Sequence, residues 1–144
     1  TLSGGFSVMP EHLPVLKEKL ELAGKEIKPS ELPLIEADAE LALDEIGGTT
    51  YELIKTLEPF GQGNSRPLFL VRNAKIADLR KVGADGRHLK MKLGPRYIGA
   101  IYFRAGENGF KIGDTIDVMA ELSENIWNGS RNIELRIIDA RRSQ

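Results

Sequence analysis

His88-Leu89-Lys90-Met91-Lys92-Leu93 sets an apolar residue after a basic one at every step. A period of two belongs to a strand, whose successive side chains point to opposite faces, so this segment has one greasy face and one basic face. Outward from it, Asp85-Gly86 is a hairpin signal on the N-terminal side. On the C-terminal side Gly94-Pro95 turns the chain into a strand over 97–104, whose Ile101 and Phe103 are expected to join the core. Residues 68–74 and 75–82 read as one long, bent strand. Beyond a turn at 105–109, Ile116, Val118, Ala120 and Leu122 alternate with Asp117, Met119 and Glu121, and Asn128-Gly129 leads into Ile133, Leu135 and Ile137. Five strands with little helix in about 75 residues imply a small barrel, because closure removes the exposed edges.

Upstream the text changes. From Met9 to about Lys28, Leu13, Leu16, Leu20, Ala23 and Ile27 recur three or four apart, an amphipathic helix with Pro10 in its first turn and Gly24 at its end. The stretch 24–33, with its two prolines, reads as a connector. Ile35, Ala37, Ala39, Leu41 and Leu43 alternate with acidic residues, which predicts a strand. Thr49 with Glu52 forms a capping box that opens a short helix through Tyr51, Leu53, Ile54 and Leu57, stopped by Pro59.

Composition narrows the chemistry. The chain has 144 residues, 41% apolar and 28% charged, values of a globular domain that exclude a disordered tail, a collagen-like repeat and a coiled-coil rod. No run approaches a membrane span and no secretory signal opens the chain, so a cytoplasmic protein is expected. With no cysteine there is no disulfide, thiolate metal site or cysteine nucleophile. Thr1 in place of an initiator Met reads as a piece cut from a longer polypeptide.

The net charge of −1 hides a division: residues 1–65 carry −7, residues 66–111 carry +8 and residues 112–144 carry −2. A basic block of this kind fits a polyanion such as a nucleic-acid backbone, or else a set of solvated strand faces.

No catalytic constellation emerges. His12 reads as a surface helix residue, and His88 as either a solvated strand residue or a contact to a nucleic-acid backbone. Glu36, Asp38 and Glu40 lack the fixed oxygen cage a divalent cation needs and read as a solvent face. Gly61-Gln62-Gly63-Asn64 follows a helix and precedes a strand, the reverse of the order that cradles phosphates, and reads as a tight turn docking Phe60 onto the barrel. Asn128-Gly129-Ser130 is a hairpin turn.

For binding a single strand the parts fit together. Phosphate contacts fall first to Arg87, Lys90, Lys92 and Arg96, with His88 beside them and Arg66, Arg80, Arg104 and Arg131 as outer contributors. Trp127 and Tyr102 are candidate stacking platforms for bases. Tyr97, Phe69, Phe103 and Phe110 are expected in the core.

The ordered set Leu57-Glu58-Pro59-Phe60-Gly61-Gln62-Gly63-Asn64, Arg66-Pro67-Leu68-Phe69, Arg87-His88-Leu89-Lys90, Ala100-Ile101-Tyr102-Phe103 and Asn125-Ile126-Trp127-Asn128-Gly129 resembles the C-terminal part of the RecJ single-strand-specific exonucleases. The resemblance runs through most of residues 32–140, with Ser65 where the family usually has proline. Ser3-Gly4-Gly5-Phe6-Ser7 looks like the end of a DHH-associated domain, without the Gly-Gly-His stretch that usually comes just before.

The resemblance implies a mainly β fold: an OB-like barrel of five to six strands, preceded by an N-terminal helix and carrying one short helix. Residues 1–32 would be the remnant of the DHH-associated domain and a linker, and residues 33–144 the OB-like domain. It implies a single-stranded-DNA-binding part of an exonuclease that degrades from the 5′ end in repair and recombination. The partners would be single-stranded DNA and the DHH catalytic domains of the same parent, with no membrane. The parent's Mn2+ or Mg2+ would sit in its DHH domain, leaving this chain without a cofactor and inactive alone. The other reading is an interaction module that docks, through the acidic strand and first helix, onto a catalytic lobe or another subunit.

Overall fold

The structure, a computed structural model, describes residue 5 and residues 7–26, 34–127 and 129–143, with Glu26 and Trp127 through their backbone alone. Two compact units separate at Ile35/Glu36.

In the first unit a single 3-10 turn, Pro10–His12, carries proline where no helical partner for its nitrogen is required and leads into α1, Leu13–Glu26. Gly24 does not end this helix, as the sequence suggested; it lies inside it, where glycine costs about 1 kcal/mol relative to alanine without breaking the helix. Ile27 and the expected boundary between residues 32 and 33 lie outside the described residues. Among described residues no helix is long and apolar enough to cross a membrane.

The second unit contains β1 (Ala39–Glu40), α2 (Gly48–Lys55), β2 (Phe69–Val82), β3 (His88–Leu93), β4 (Ile98–Tyr102), β5 (Thr115–Trp127) and β6 (Ser130–Arg142). Antiparallel pairs β2–β3, β3–β4, β5–β6 and β2–β5, with the parallel pair β4–β6, close a five-strand ring, to which β1 adds in parallel on β2. The expected mainly β barrel is therefore the observed one. Its interior is filled by alternate residues, among them Val71, Ile76, Met91, Leu93, Ile116, Val118 and Leu135, each at most 1% exposed.

The long strand β2 serves two neighbours, and that needs a bend. Its register with β5 shifts between Val71 and Ala74, where Asn73 takes a positive φ of 53°. Asp117 holds that bulge: its Oδ1 accepts the Asn73 N–H at 3.0 Å and the Ser143 hydroxyl at 2.7 Å. These donors, the Asn73 N–H foremost, keep the Asp117 carboxyl below its ordinary range despite burial.

Three local expectations fail for identifiable reasons. The alternation over 35–43 yields only the two residues of β1, because Ala42 donates its N–H to Glu45 Oε2 at 2.7 Å and the chain turns. Ile35, Ala37 and Ala39 stay exposed. Helix α2 is capped by Gly47 with no side-chain hydrogen bond, so Thr49 lies within the helix and forms no capping box. That start places Tyr51 and Ile54, three apart, into the core with Ile46. On β4 the facing is inverted: Ala100 is buried, Ile98 and Tyr102 pack against the core, and Ile101 and Phe103 point away. The turn after α2 agrees with expectation, since Gly61 and Asn64 pair backbones, Asn64 donates to the carbonyls of Leu57 and Pro59, and Phe60 packs on the core.

Candidate nucleic-acid interface

The outer face of β3, β4 and β6 follows from the register. Lys92 pairs with Gly99, which pairs with Glu134; Lys90 pairs with Ile101, which pairs with Arg136. On the other flank Arg80 of β2 pairs with Lys90. Strands stand about 4.8 Å apart, so Arg80, Lys90 and Arg136 form one row of cations across the barrel wall. Phe103 continues this face: its ring is edge-on to His88 at 5.2 Å, and the Arg136 guanidinium lies 5.8 Å from its centroid.

Lys90, Lys92 and Arg96 come together along a groove of about 500 Å³, bordered by Tyr97, Asn125 and Glu134. Among the described residues neither lysine has a carboxylate within ion-pair distance, nor do Arg96 and Arg136. Arg96 donates an Nη1–H to the Asp44 carbonyl at 2.8 Å, which holds its guanidinium at the groove's edge.

The other candidates are placed differently. Arg80 is ion-paired with Asp78 at 3.1 Å, and Arg87 with Asp85. His88 accepts the Arg104 backbone N–H on Nδ1 at 3.0 Å, tying the start of β3 to the residue after Phe103. Arg87 and Arg104, with Lys81, line a second hollow of about 410 Å³ at the β2–β3 turn. Arg66 lies over the Phe60 ring at 5.0 Å and lines neither hollow.

Arg131 is drawn into the fold. It pairs with Glu52 of α2 at 2.6 Å and with Glu124 of β5, and its guanidinium lies 5.8 Å from the Tyr51 ring centroid. The Arg131 hydrogen bond in turn holds the Glu52 carboxyl below its ordinary range. Tyr102 faces the core side, opposite to Lys90; its hydroxyl reaches Asp139 at 3.4 Å, and burial raises its pKa. Trp127 closes the β5–β6 hairpin by pairing with Ser130, while its side chain, and Asn128, lie outside the described residues.

Two aromatic residues expected in the core are exposed instead, Tyr97 at 62% and Phe103 at 50%. Tyr97 sits in the β3–β4 turn at a positive φ of 54°. Phe103 follows from parity: Leu93 pairs with Ile98, so Ala100 and Tyr102 share their inward face and Phe103 cannot. Phe69 is buried and Phe110 packs on the core, as expected. Arg136 was missed because its neighbour β4 is joined to β6 only by a long-range parallel pairing.

Among described residues no group of three His, Asp or Glu is placed to hold a metal ion. The model of the RecJ OB domain matches residues 37–139. Over 88 residues the chain is 38% identical to the single-stranded-DNA-specific exonuclease RecJ of Bacillus subtilis, covering 58% of this chain and 11% of that one. With the RecJ of Thermus thermophilus the identity is 34% over 88 residues, covering 61% and 12%. The chain thus spans about a ninth of these relatives. Crystal structures of the Thermus RecJ with Mn2+ and with Mg2+ each superpose at a TM-score of 0.65 with 25% identity, over 96% of this chain and 20% and 21% of theirs.

Proposed function

Because the chain belongs to the RecJ OB domain family, we propose that its β3–β4–β6 face binds single-stranded DNA for an exonuclease of that family. The observation that carries this reading is the pair Lys90 and Lys92, in no ion pair among the described residues and lining one groove with Arg96. Unpaired cations along an extended surface neutralise successive phosphates, and nearby aromatic rings cover the π-faces that a single strand exposes and a duplex hides. Phe103 and Tyr97 take the stacking role on this face, and Arg136 joins the phosphate contacts. Arg80, Arg87, His88, Arg66 and Arg131 contribute less directly, since each is already engaged within the fold, and Arg104 faces the second hollow with Arg87.

In the parent protein this domain would hold the strand beside a DHH catalytic domain, with residues 1–32 as the remnant of the DHH-associated domain and a linker. Phosphodiester hydrolysis from the 5′ end, its Mn2+ or Mg2+, and the role in repair and recombination belong to that parent. The expected result with this chain is that a labelled single-stranded oligonucleotide raises its fluorescence anisotropy on titration, and the matching duplex binds at least tenfold more weakly. Equal binding of both strands' forms overturns the reading.

A second reading has its own observation. Leu53 and Leu57, exposed by 66% and 53%, line with Ile54, Phe60, Pro67 and Phe69 an apolar hollow of about 610 Å³ beside α2. Such a surface suits docking onto a catalytic lobe or another subunit. Reversing Lys90 and Lys92 to Glu separates the two, since it abolishes DNA binding only under the first.

A further inference from the structure

We infer that Glu134 reads base edges at the end of the groove and biases it toward bases that carry an exocyclic amino group. This rests on the single-strand reading above and adds the chemistry by which the same groove selects. A track for a polyanion is weakened by every carboxylate on its wall. Glu134 nevertheless lines this one, across Gly99 from Lys92.

Its environment suits recognition better than ion pairing. Asn125 donates its Nδ2–H to Glu134 Oε2 at 3.2 Å, which orients the carboxylate. Among the described residues Oε1 has no hydrogen-bond partner, and no cation lies within ion-pair distance of either oxygen. Gly99 stands between Glu134 and Lys92, and the two side chains close over it from either side. A Cβ there would lie 3.3 Å from Glu134 Cβ and 3.9 Å from Lys92 Nζ. The cation and the carboxylate thus lie side by side, so a nucleotide whose phosphate meets Lys92 presents its base edge to Glu134.

A carboxylate only accepts hydrogen bonds. The amino groups of cytosine, adenine and guanine donate to it, as in the pairing of Glu or Asp with cytosine N4. Thymine and uracil flank their single edge N–H with carbonyl oxygens, which repel a carboxylate. The cations would then position the strand while Glu134 discriminates, the usual division between phosphate and base contacts.

The test uses the full 144-residue chain and two labelled oligonucleotides of about 15 nucleotides, all deoxycytidine and all deoxyuridine, which differ only on that base edge, at one fixed salt concentration near pH 7.5. The expected ratio is about fivefold tighter for deoxycytidine, the low end of what one base-edge contact discriminates. Glu134→Gln, whose amide both donates and accepts, and Glu134→Ala bring the ratio to about one and tighten deoxyuridine binding. A ratio near one in the unmodified chain overturns the inference. So does a ratio that survives both substitutions while both oligonucleotides gain equally, the mark of lost charge alone. If neither oligonucleotide binds, the single-strand reading itself has failed.

Discussion

Replacing Lys90 and Lys92 together by Gln removes two of the four cations, Lys90, Lys92, Arg96 and Arg136, that lack a carboxylate partner among the described residues on the β3–β4–β6 face. On single strands each neutralised phosphate contributes about −0.7 to the slope of log affinity against log salt, so four contacts give about −2.8 and two give about −1.4. Over a fourfold rise in salt, affinity should fall roughly 50-fold for the unmodified chain and roughly sevenfold for the double variant. Anisotropy titrations of one mixed-sequence oligonucleotide at four or five salt concentrations measure both slopes. Both lysine side chains are exposed, so the variant should fold as the parent does, and its melting curve checks this. Lys111→Gln, which lines neither basic hollow, serves as the reference and should leave the slope where it was. An unchanged slope in the double variant, or an equal drop in the Lys111 variant, would show that the affinity comes from diffuse charge and not from this groove.

Phe103→Ala should weaken oligonucleotide binding by about 1 to 3 kcal/mol with the salt slope intact, because a stacked base is lost and no charge is; unaltered affinity refutes the stacking role. Gly106→Ala should destabilise the barrel by about 1 to 3 kcal/mol in urea. Its new methyl would lie 2.9 Å from Arg87 Cα and also meet the Gly86 carbonyl, both backbone, whereas Gly61→Ala, with nothing within 4 Å, should be silent. Asp117 titrates below its ordinary 3.8 in the fold because the Asn73 N–H and Ser143 hydroxyl favour its charged form. A depressed folded value means the stabilisation is present above the unfolded pKa and is lost as pH falls through the folded one. Urea midpoints of the unmodified chain should therefore drop below about pH 4, and Asp117→Asn should be less stable at pH 7 by about 1 to 3 kcal/mol with a flatter acid response. An identical acid response in the two would rule out this carboxylate as a source.

What was legible from residue order was whatever depended on local period. Leu89, Met91 and Leu93 point inward and Lys90 and Lys92 outward, because two adjacent lysines at period two on a half-buried strand have only one solvated face. The ring of strands was legible for a similar reason, since Asp85-Gly86, Gly94-Pro95 and Asn128-Gly129 each punctuate alternating segments. Facing on β4 was not, because Ile98, Ala100, Ile101, Tyr102 and Phe103 are all apolar or aromatic and no polar residue marks the phase. The phase is set instead by Leu93 opposite Ile98, a pairing that the turn length between them fixes. The alternation over 35–43 misled for the opposite reason: its polar phase was clear, but once Leu41 has donated its N–H to the Leu70 carbonyl, Glu45 takes the Ala42 N–H and the chain turns away from β2 after two paired residues.

The same distinction explains how the basic block sorts itself. Its eleven cations over residues 66–111 are indistinguishable by composition, yet the fold assigns them different work through their neighbours. Arg80 and Arg87 each have an aspartate two residues upstream in sequence, and both are paired with it. Lys90 and Lys92 have leucine and methionine as chain neighbours and Ile101 and Gly99 as partners on β4, while Asp78, opposite Lys92 on β2, is taken up by Arg80. Arg131 shows the converse: placed at a hairpin among polar residues it looked free, but α2 and β5 bring Glu52 and Glu124 to it from distant positions in the chain. An exposed pair of that kind adds little to stability, but a phosphate must displace the carboxylates to reach the guanidinium. Competition from carboxylates, more than the number of positive charges, therefore decides which part of this barrel is open to a polyanion, and it leaves the groove along β3 as the part with the least to displace.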